Sequence, residues 1–254
     1  MNKLLAFICL IVVLGGCTAN HSDHDVGKII GGEPAPRGEY PFYVAVVRAD
    51  GSHICGGTLI APQWVLTAAH CLAETGAHSV SVGLEQYRPT LIENERILIG
   101  TVFLHAGLNY RGQSDIALIK LDHPARSTHF MTLDSGGSPV PLPAGTPLTL
   151  IGFGRTDEGV KSDVLYHGQG AVLEDRLCGN TRPGFPDTDF NPAYNICAGY
   201  NQAGGDSGGP LLYKMGDDYV EVGLVSRTLI DGAGQYTRVS YFIDWINTIV
   251  KADK

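Results

Sequence analysis

Short apolar runs, separated by turn-forming residues, recur along most of the chain. Gly, Pro, Asp and Asn stand between the runs, which is typical of the many short strands in a β-barrel or β-sandwich. No helical stretches alternate with them in the βαβ manner. The pattern therefore predicts an all-β fold. The clearest runs lie at residues 42–47, 57–60, 116–121, 148–151 and 220–225.

The carboxyl end departs from this pattern. Within residues 241–250, apolar side chains including Phe242, Trp245 and Ile249 recur at helical spacing. This spacing predicts a terminal helix that covers the second half of the fold. Residues 132–147 are rich in Pro, Gly and Ser, so we expect the boundary between two halves there.

The first 16 residues have the features of an export signal. A basic start precedes an apolar run over residues 4–14, which is too short to span a bilayer. The next segment, Leu-Gly-Gly-Cys ending at Cys17, resembles the lipobox of bacterial lipoproteins, whose cysteine carries the lipid. We expect a signal peptide over residues 1–16 and a membrane contact only through a lipid on Cys17. An ordinary secretory signal cut near Ala19 is the alternative.

Charge narrows the choice of partners. The chain carries a formal net charge of −8 and has no run of Lys or Arg, which argues against nucleic-acid binding. Residues 17–28 are polar and are expected to form a propeptide or flexible tether. We interpret His21 and His24 in this tether as solvated rather than metal-binding.

One glycine-rich stretch, at residues 203–210, combines several unusual features. Its glycines favour a tight, fixed loop in which few side chains obstruct Ser207. A serine held in this way can act as a nucleophile, and the amides of Gly205 and Ser207 could donate to an oxyanion. Asp206 needs a cation or several donors if the loop is buried. Taken alone, the glycine spacing also fits an ordinary turn.

Four stretches together resemble the chymotrypsin/trypsin family of serine proteases. Residues 203–210 resemble its serine loop, 67–71 its histidine motif, 114–118 its aspartate motif and 29–32 its mature amino terminus. The motifs follow the order His, Asp, Ser that distinguishes this family from other triad folds. The resemblance implies two antiparallel six-stranded β-barrels with a C-terminal helix, spanning residues 29–254, and an active site in the cleft between the barrels.

The resemblance also implies a role for each catalytic residue. Ser207 would be the nucleophile, and His70 the base that takes its proton and later returns it. Asp115 would hold the imidazole in one tautomer. Ser226 resembles the serine that bonds this aspartate. The amides of Gly205 and Ser207 would form the oxyanion hole.

Activation would follow from cleavage after Lys28. In the family, the new α-ammonium, here on Ile29, enters the protein and pairs with the carboxylate of the serine loop, here Asp206. Burying the two charges is tolerable only as a pair. The uncut chain should therefore be a poorly active zymogen, and Lys28 suggests that a trypsin-like protease makes the cut.

The cysteines of the body fit an exported protein. Four cysteines, Cys55, Cys71, Cys178 and Cys197, allow three pairings. The family resemblance selects Cys55–Cys71 and Cys178–Cys197. A zinc site is the rival interpretation, but neither pair has C-x-x-C spacing.

No metal and no cofactor are expected. Glu85, Glu93 and Glu95 lie near the position where some members of the family bind calcium, but their spacing matches that site poorly.

The substrate pocket departs from the trypsin pattern. Asn201 stands where trypsin-like members carry Asp, so strict specificity for Lys or Arg is not expected. Ala203 replaces a cysteine, and the bond that usually braces the pocket wall is missing. The other pocket residues that the resemblance implies are Gly204, Ser226, Arg227, Thr228 and Gly234.

The sequence thus predicts a monomeric serine endopeptidase that acts on proteins or peptides. It would be exported as a membrane-anchored bacterial lipoprotein and become periplasmic or extracellular after activation. A protease-fold binding or adhesion module without turnover is the first alternative. Acyl transfer to or from esters is the second, because the same acyl-enzyme chemistry cleaves both bonds.

Overall fold

A computed structural model provides the structure of the protein. It describes residues 32–73, 75–83, 95–107, 114–135, 141–154, 162–179, 190–199, 204–229 and 232–252. The leader, Cys17, Lys28, Ile29, Asn201 and Ala203 lie outside these residues. No helix in the described ranges is long and apolar enough to cross a membrane.

Six strands of the first half close into a barrel in the order β2-β3-β4-β7-β6-β5. All neighbours in this barrel are antiparallel. The elements up to its last strand are β1 (Glu33–Pro34), β2 (Tyr43–Val47), β3 (His53–Ala61), β4 (Trp64–Thr67), the helical turn α1 (His70–Ala73), β5 (Ser79–Val82), β6 (Glu95–Leu104) and β7 (Ala117–Leu121).

The second half forms another six-stranded ring. Strands β9, β12, β13, β14, β11 and β10 pair in that order, and β10 pairs back to β9, all antiparallel. The remaining elements are β8 (Thr132–Leu133), β9 (Pro147–Gly152), β10 (Tyr166–Val172), a 3₁₀ turn (Asp175–Leu177), β11 (Asn195–Gly199), β12 (Pro210–Met215), β13 (Asp218–Thr228), β14 (Ala233–Arg238) and helix α2 (Val239–Ala252).

Each barrel has its own apolar core. Strands β2, β4 and β5 are buried along their whole length because both of their faces are covered. Val44, Val65 and Ile119 pack inside the first barrel, and Leu150 and Val222 inside the second. Each of the five apolar runs noted in the sequence lies in a strand, apart from the first residue of the runs at 42–47 and 116–121; the strands are β2, β3, β7, β9 and β13.

The interface between the barrels contains two further apolar clusters. In one, Tyr43 and Phe153 pack together with a ring separation of 5.7 Å. In the other, Phe242 of α2 packs with residues of the first barrel such as Leu118 and with Leu224 of the second. The terminal helix is confirmed, but its apolar face contacts both barrels and not only the second.

Candidate active site

His70 stands at the point where β4 leaves the first barrel. β4 is fully buried, Ala68 and Ala69 after it are also buried, and His70 opens the turn α1. The disulfide Cys55–Cys71 joins this turn to β3. With its backbone fixed on both sides, the imidazole of His70 still has 39% of its side-chain surface exposed. It can therefore meet both a buried partner and a substrate.

Asp115 is the buried partner of His70. Its backbone lies in a tight turn before β7, where Ser114 has a φ of 52° and Ile116 N–H donates to the Ser114 carbonyl at 2.8 Å. The Asp115 carboxylate accepts from the backbone N–H of His70 at 2.9 Å and lies 2.7 Å from its Nδ1. This geometry fixes the imidazole with Nδ1–H toward Asp115.

The second barrel adds two hydroxyl donors to Asp115. Ser226 Oγ donates to Oδ2 at 2.6 Å, and Thr237 Oγ1 donates to the main-chain carbonyl at 3.0 Å. Burial raises the pKa of the Asp115 carboxyl. The hydrogen bonds and positive charge of His70, with the Ser226 bond, outweigh burial, so the net pKa lies below the ordinary value. Asp115 is therefore ionised at neutral pH.

The loop that carries Ser207 is anchored to both barrels. Gly56 N–H of β3 donates to the Ser207 carbonyl at 2.8 Å, and Gly208 N–H donates to the Val225 carbonyl at 2.8 Å. Gly208 has a φ of 75°, and a Cβ there would come within 2.7 Å of the Gly56 carbonyl oxygen. Only glycine fits at position 208, where the serine loop passes close to β3. Ser207 itself is half-buried, while the residues on either side are buried.

Asp206 points away from solvent into a cradle of two glycines. Its side chain is fully buried, and Gly154 N–H donates to Oδ1 at 2.7 Å. A Cβ on Gly152 or Gly154 would overlap the carboxylate. Burial, together with the negative charge of Asp206, raises the pKa of the neighbouring Tyr43. The predicted partner of Asp206, Ile29, lies outside the described residues.

The pocket residues implied by the sequence fall on neighbouring strands. Thr228 of β13 pairs with Gly234 of β14, and the preceding pair is Arg227 with Gln235. The disulfide Cys178–Cys197 lies behind these strands, with Cys178 Sγ 3.4 Å from the Gly234 carbonyl oxygen. Gly204 is exposed at the start of the serine loop. The base residue Asn201 is among the residues that the structure does not describe.

The described residues offer one group of close metal-ligating atoms, from Cys55, His70 and Cys71. Both sulfurs are in the disulfide and His70 faces Asp115, so this donor set suits catalysis rather than a metal. Of the three glutamates considered for calcium, Glu95 accepts hydrogen bonds from the backbone N–H and Nε of Arg126. The other two, Glu85 and Glu93, lie outside the described residues.

Several residues of this site carry no recognisable signal in the sequence. Thr237 bonds Asp115 from 122 positions away, and Gly154 bonds Asp206 across 52 positions. Only the pattern Gly-Phe-Gly at residues 152–154, with glycines on both sides of a buried aromatic, could have suggested a close backbone approach.

The comparisons with known proteins agree with this geometry. The family model described as Trypsin matches residues 29–246 of the chain. The chain belongs to the trypsin family. A relative within the trypsin family, a tryptase of Mus musculus, is 32% identical over 253 residues, and the match covers 89% of each protein.

A solved structure also shares the trypsin-family fold. The structure titled human heparin binding protein superimposes with a TM-score of 0.73 at 25% identity, covering 87% of this chain and 96% of that one. These matches confirm the family inferred from the four motifs. The two closed barrels and the terminal helix confirm the predicted fold. Membership of the trypsin family supports a serine protease that acts on proteins.

Proposed function

We propose that this protein is a serine endopeptidase that cleaves peptide bonds through an acyl-enzyme. The observation that carries the proposal is the contact between His70 and the buried Asp115: Nδ1 lies 2.7 Å from Oδ2, and the loop of Ser207 passes directly beside the residues that precede His70. A carboxylate whose pKa is lowered is charged at neutral pH. In contact with the imidazole, it holds one tautomer and stabilises the protonated form.

The proposed reaction assigns each step to a described residue. Ser207 Oγ attacks the substrate carbonyl while Nε2 of His70 takes the hydroxyl proton. The amides of Gly205 and Ser207 donate to the oxyanion that forms. The C–N bond then breaks, and His70 returns its proton to the leaving amine. A water molecule then attacks the acyl-enzyme while His70 takes its proton. The bond between the acyl carbon and Ser207 Oγ breaks, His70 returns the proton to Oγ, and the carboxylic acid product leaves.

A peptide-hydrolysis assay on chain that starts at Ile29 tests this mechanism. Ser207→Ala should abolish turnover, and His70→Ala should do nearly the same because triad members act as a unit. Ser135→Ala, which changes an exposed serine elsewhere, is the matched control and should keep full activity. Turnover by Ser207→Ala near that of the wild type would refute the assignment.

The enzyme is made as a zymogen in this proposal. Residues 1–16 are the signal peptide, 17–28 the propeptide, and 29–254 the protease domain, with the boundary between barrels near 132–147. A trypsin-like protease cuts after Lys28, and the Ile29 ammonium pairs with Asp206. The glycine cradle and full burial of Asp206 support this, since a buried carboxylate calls for a cation nearby. Lys28→Gln should remain weakly active, and full activity of that variant would count against the zymogen.

Location is linked to activation in the same proposal. A lipid on Cys17 anchors the zymogen, as in bacterial lipoproteins, and cleavage after Lys28 releases a soluble monomer because both body disulfides lie within residues 29–254. Cell fractions from wild type and Cys17→Ser test this. The wild-type zymogen should be in the membrane fraction and the Cys17→Ser protein should be soluble. Mature protein that begins at Ile29 yet stays in the membrane fraction would contradict the release.

A binding module without turnover is the second candidate. The structural neighbour named for heparin binding favours it, because that name describes a ligand and not a reaction. The formal net charge of −8 argues against a polyanion as the ligand here. Hydrolysis that depends on Ser207 would decide for the enzyme, and binding of a protein ligand without hydrolysis would decide for the module.

A further inference from the structure

Arg227 and Gln235 lie directly opposite each other on β13 and β14. The previous pair is Val225 with Tyr236, so Ser226 is the extra residue of a β-bulge between the two pairs. Side chains that are directly opposite on antiparallel strands have Cβ atoms about 5 Å apart. Arg227 and Gln235 are therefore neighbours on one face of the sheet, and we call them the Arg–Gln pair.

The Arg–Gln pair is on the face of the second barrel that meets Asp115. Residues two apart on a strand share a face, so Gln235 is on the side of Thr237 and not on that of Tyr236. Tyr236 lies in the barrel core, whereas Thr237 bonds the Asp115 carbonyl at 3.0 Å. Two residues of a strand span about 7 Å. Gln235 thus lies about 7 Å along β14 from Thr237, the residue that bonds the catalytic aspartate.

Burial makes this pair unusual. Gln235 is 0% exposed, and neither Nε2 nor Oε1 has a hydrogen-bonding partner in the structure as described. Arg227, opposite it, is only partly buried. Buried side-chain amides are nearly always paired, and an unpaired one calls for a functional explanation.

We infer that the Arg–Gln pair selects substrates with a carboxylate side chain, Asp or Glu, close to the scissile bond. The inference rests on the proposed endopeptidase function and specifies its substrate class. A guanidinium presents two parallel N–H donors that match the two oxygens of a carboxylate. Gln235, opposite Arg227 and with an amide that has no hydrogen-bonding partner in the structure as described, is the positioning group: it provides a polar neighbour on the buried side of Arg227.

The attraction between Arg227 and a substrate carboxylate outweighs the repulsion of acidic substrates by the overall negative charge of the protein. The net charge of −8 disfavours acidic substrates at long range, but salt screens such repulsion beyond about 8 Å at physiological ionic strength. A carboxylate bound at Arg227 is within that distance of the guanidinium. The next residue toward the active site, Ser226, bonds Asp115, so a substrate held at Arg227 lies beside the catalytic residues.

The test compares peptide substrates that differ only by Glu against Gln at each position around the cleaved bond. Wild type should prefer Glu by about tenfold in kcat/KM at one position. Arg227→Gln should bring that ratio to about one, and Arg227→Lys should leave an intermediate ratio because it keeps the charge without the fork. Gln235→Leu should lower the ratio at least threefold without lowering the Tm, which a purely structural role would not do.

Arg126→Gln is the matched control, because it removes the same charge from an 82% exposed side chain on the first barrel. It should leave the Glu-to-Gln ratio unchanged. Fluorophosphonate labelling of every variant separates this inference from the proposed function. If wild type labels and cleaves but its ratio stays within twofold at all positions, or survives Arg227→Gln, the selectivity is wrong and the protease stands. If wild type neither labels nor cleaves, both are wrong.

Discussion

Two buried carboxyl groups at the interface between the barrels behave in opposite ways. Asp115 belongs to the first barrel and accepts hydrogen bonds from Ser226 of the second. Glu221 belongs to the second barrel and accepts one from Thr58 of the first, at 3.2 Å. They are 2% and 0% exposed, so burial alone does not distinguish them.

The difference lies in the donors that surround each group. Asp115 accepts from the backbone N–H and Nδ1 of His70 as well as from Ser226, and its pKa is lowered. The second oxygen of Glu221 has no hydrogen-bonding partner among the residues described, and burial raises the pKa of Glu221 well above 4.5. The donors around Asp115 therefore favour its charged form, whereas burial with a single donor favours the protonated form of Glu221.

Asp115→Asn should produce the largest effect in this comparison. An amide cannot hold the imidazole as a carboxylate does, so kcat/KM should fall about a hundredfold or more. Asp122→Asn, at an exposed carboxylate, is the control and should change little. A decrease of less than threefold for Asp115→Asn would mean that its ionised state does not serve the reaction.

Ser226→Ala removes one of the donors that lower the pKa of Asp115. We expect kcat/KM to fall about tenfold, since a hydrogen bond to a charged group is worth about 1.5–3 kcal/mol. A group with a lowered folded-state pKa adds stability above its unfolded pKa, near 3.8, and loses it as pH falls. Without Ser226 the folded-state pKa of Asp115 moves closer to 3.8, so the stability lost on acidification should be smaller and the loss should end at higher pH. Urea unfolding across an acid pH series measures this. An unshifted acid profile would contradict the role of Ser226.

Glu221→Gln should show the opposite dependence on pH. The folded-state pKa of Glu221 is raised, so its contribution is full below the unfolded value of 4.5 and is lost as pH rises toward the folded value. The free energy of unfolding of the variant should therefore rise relative to that of the wild type as the pH is raised from 5 to 7. Urea unfolding at both pH values measures this, with the exposed Glu39→Gln as control. If the difference in unfolding free energy between the variant and the wild type is the same at pH 5 and pH 7, the pKa of Glu221 is not raised in the folded protein.

Thr58→Val should produce the smallest effect, a loss of about 1 kcal/mol in the free energy of unfolding. The hydroxyl of Thr58 donates to Oε1 of Glu221, and its removal leaves that oxygen without this donor. In a Glu221→Leu background the same substitution should cost little, because there is no acceptor to leave unpaired. Equal losses in both backgrounds would show that the bond does not matter.

The sequence allows the barrels and the central contacts of the site to be predicted, because local patterns determine them. Short apolar runs between turn residues predict five strands, and the motifs around His70 and Asp115 identify residues that lie 2.7 Å apart in the structure. Helix α2 was expected, although it begins at Val239, earlier than the periodicity indicates.

The remaining features depend on how the barrels meet, which local patterns do not encode. Glu221 is the one charged residue within the apolar run at 220–225, so strand alternation predicts a solvent-facing side chain. The structure covers that face with β3 of the first barrel, and the carboxyl becomes buried against Thr58. The hydrogen bond from Thr237 to the Asp115 carbonyl likewise forms only because the two barrels pack against each other.

The central claim is that Ser207, activated through His70 and Asp115, forms the acyl-enzyme. The most direct measurement is to label chain that begins at Ile29 with a fluorophosphonate and to locate the adduct by peptide mass spectrometry. We predict one adduct, on Ser207, that disappears in His70→Ala while the far-UV circular dichroism of that variant stays that of the wild type. An adduct on another residue, or no adduct on the folded Ile29-started protein, would contradict the claim.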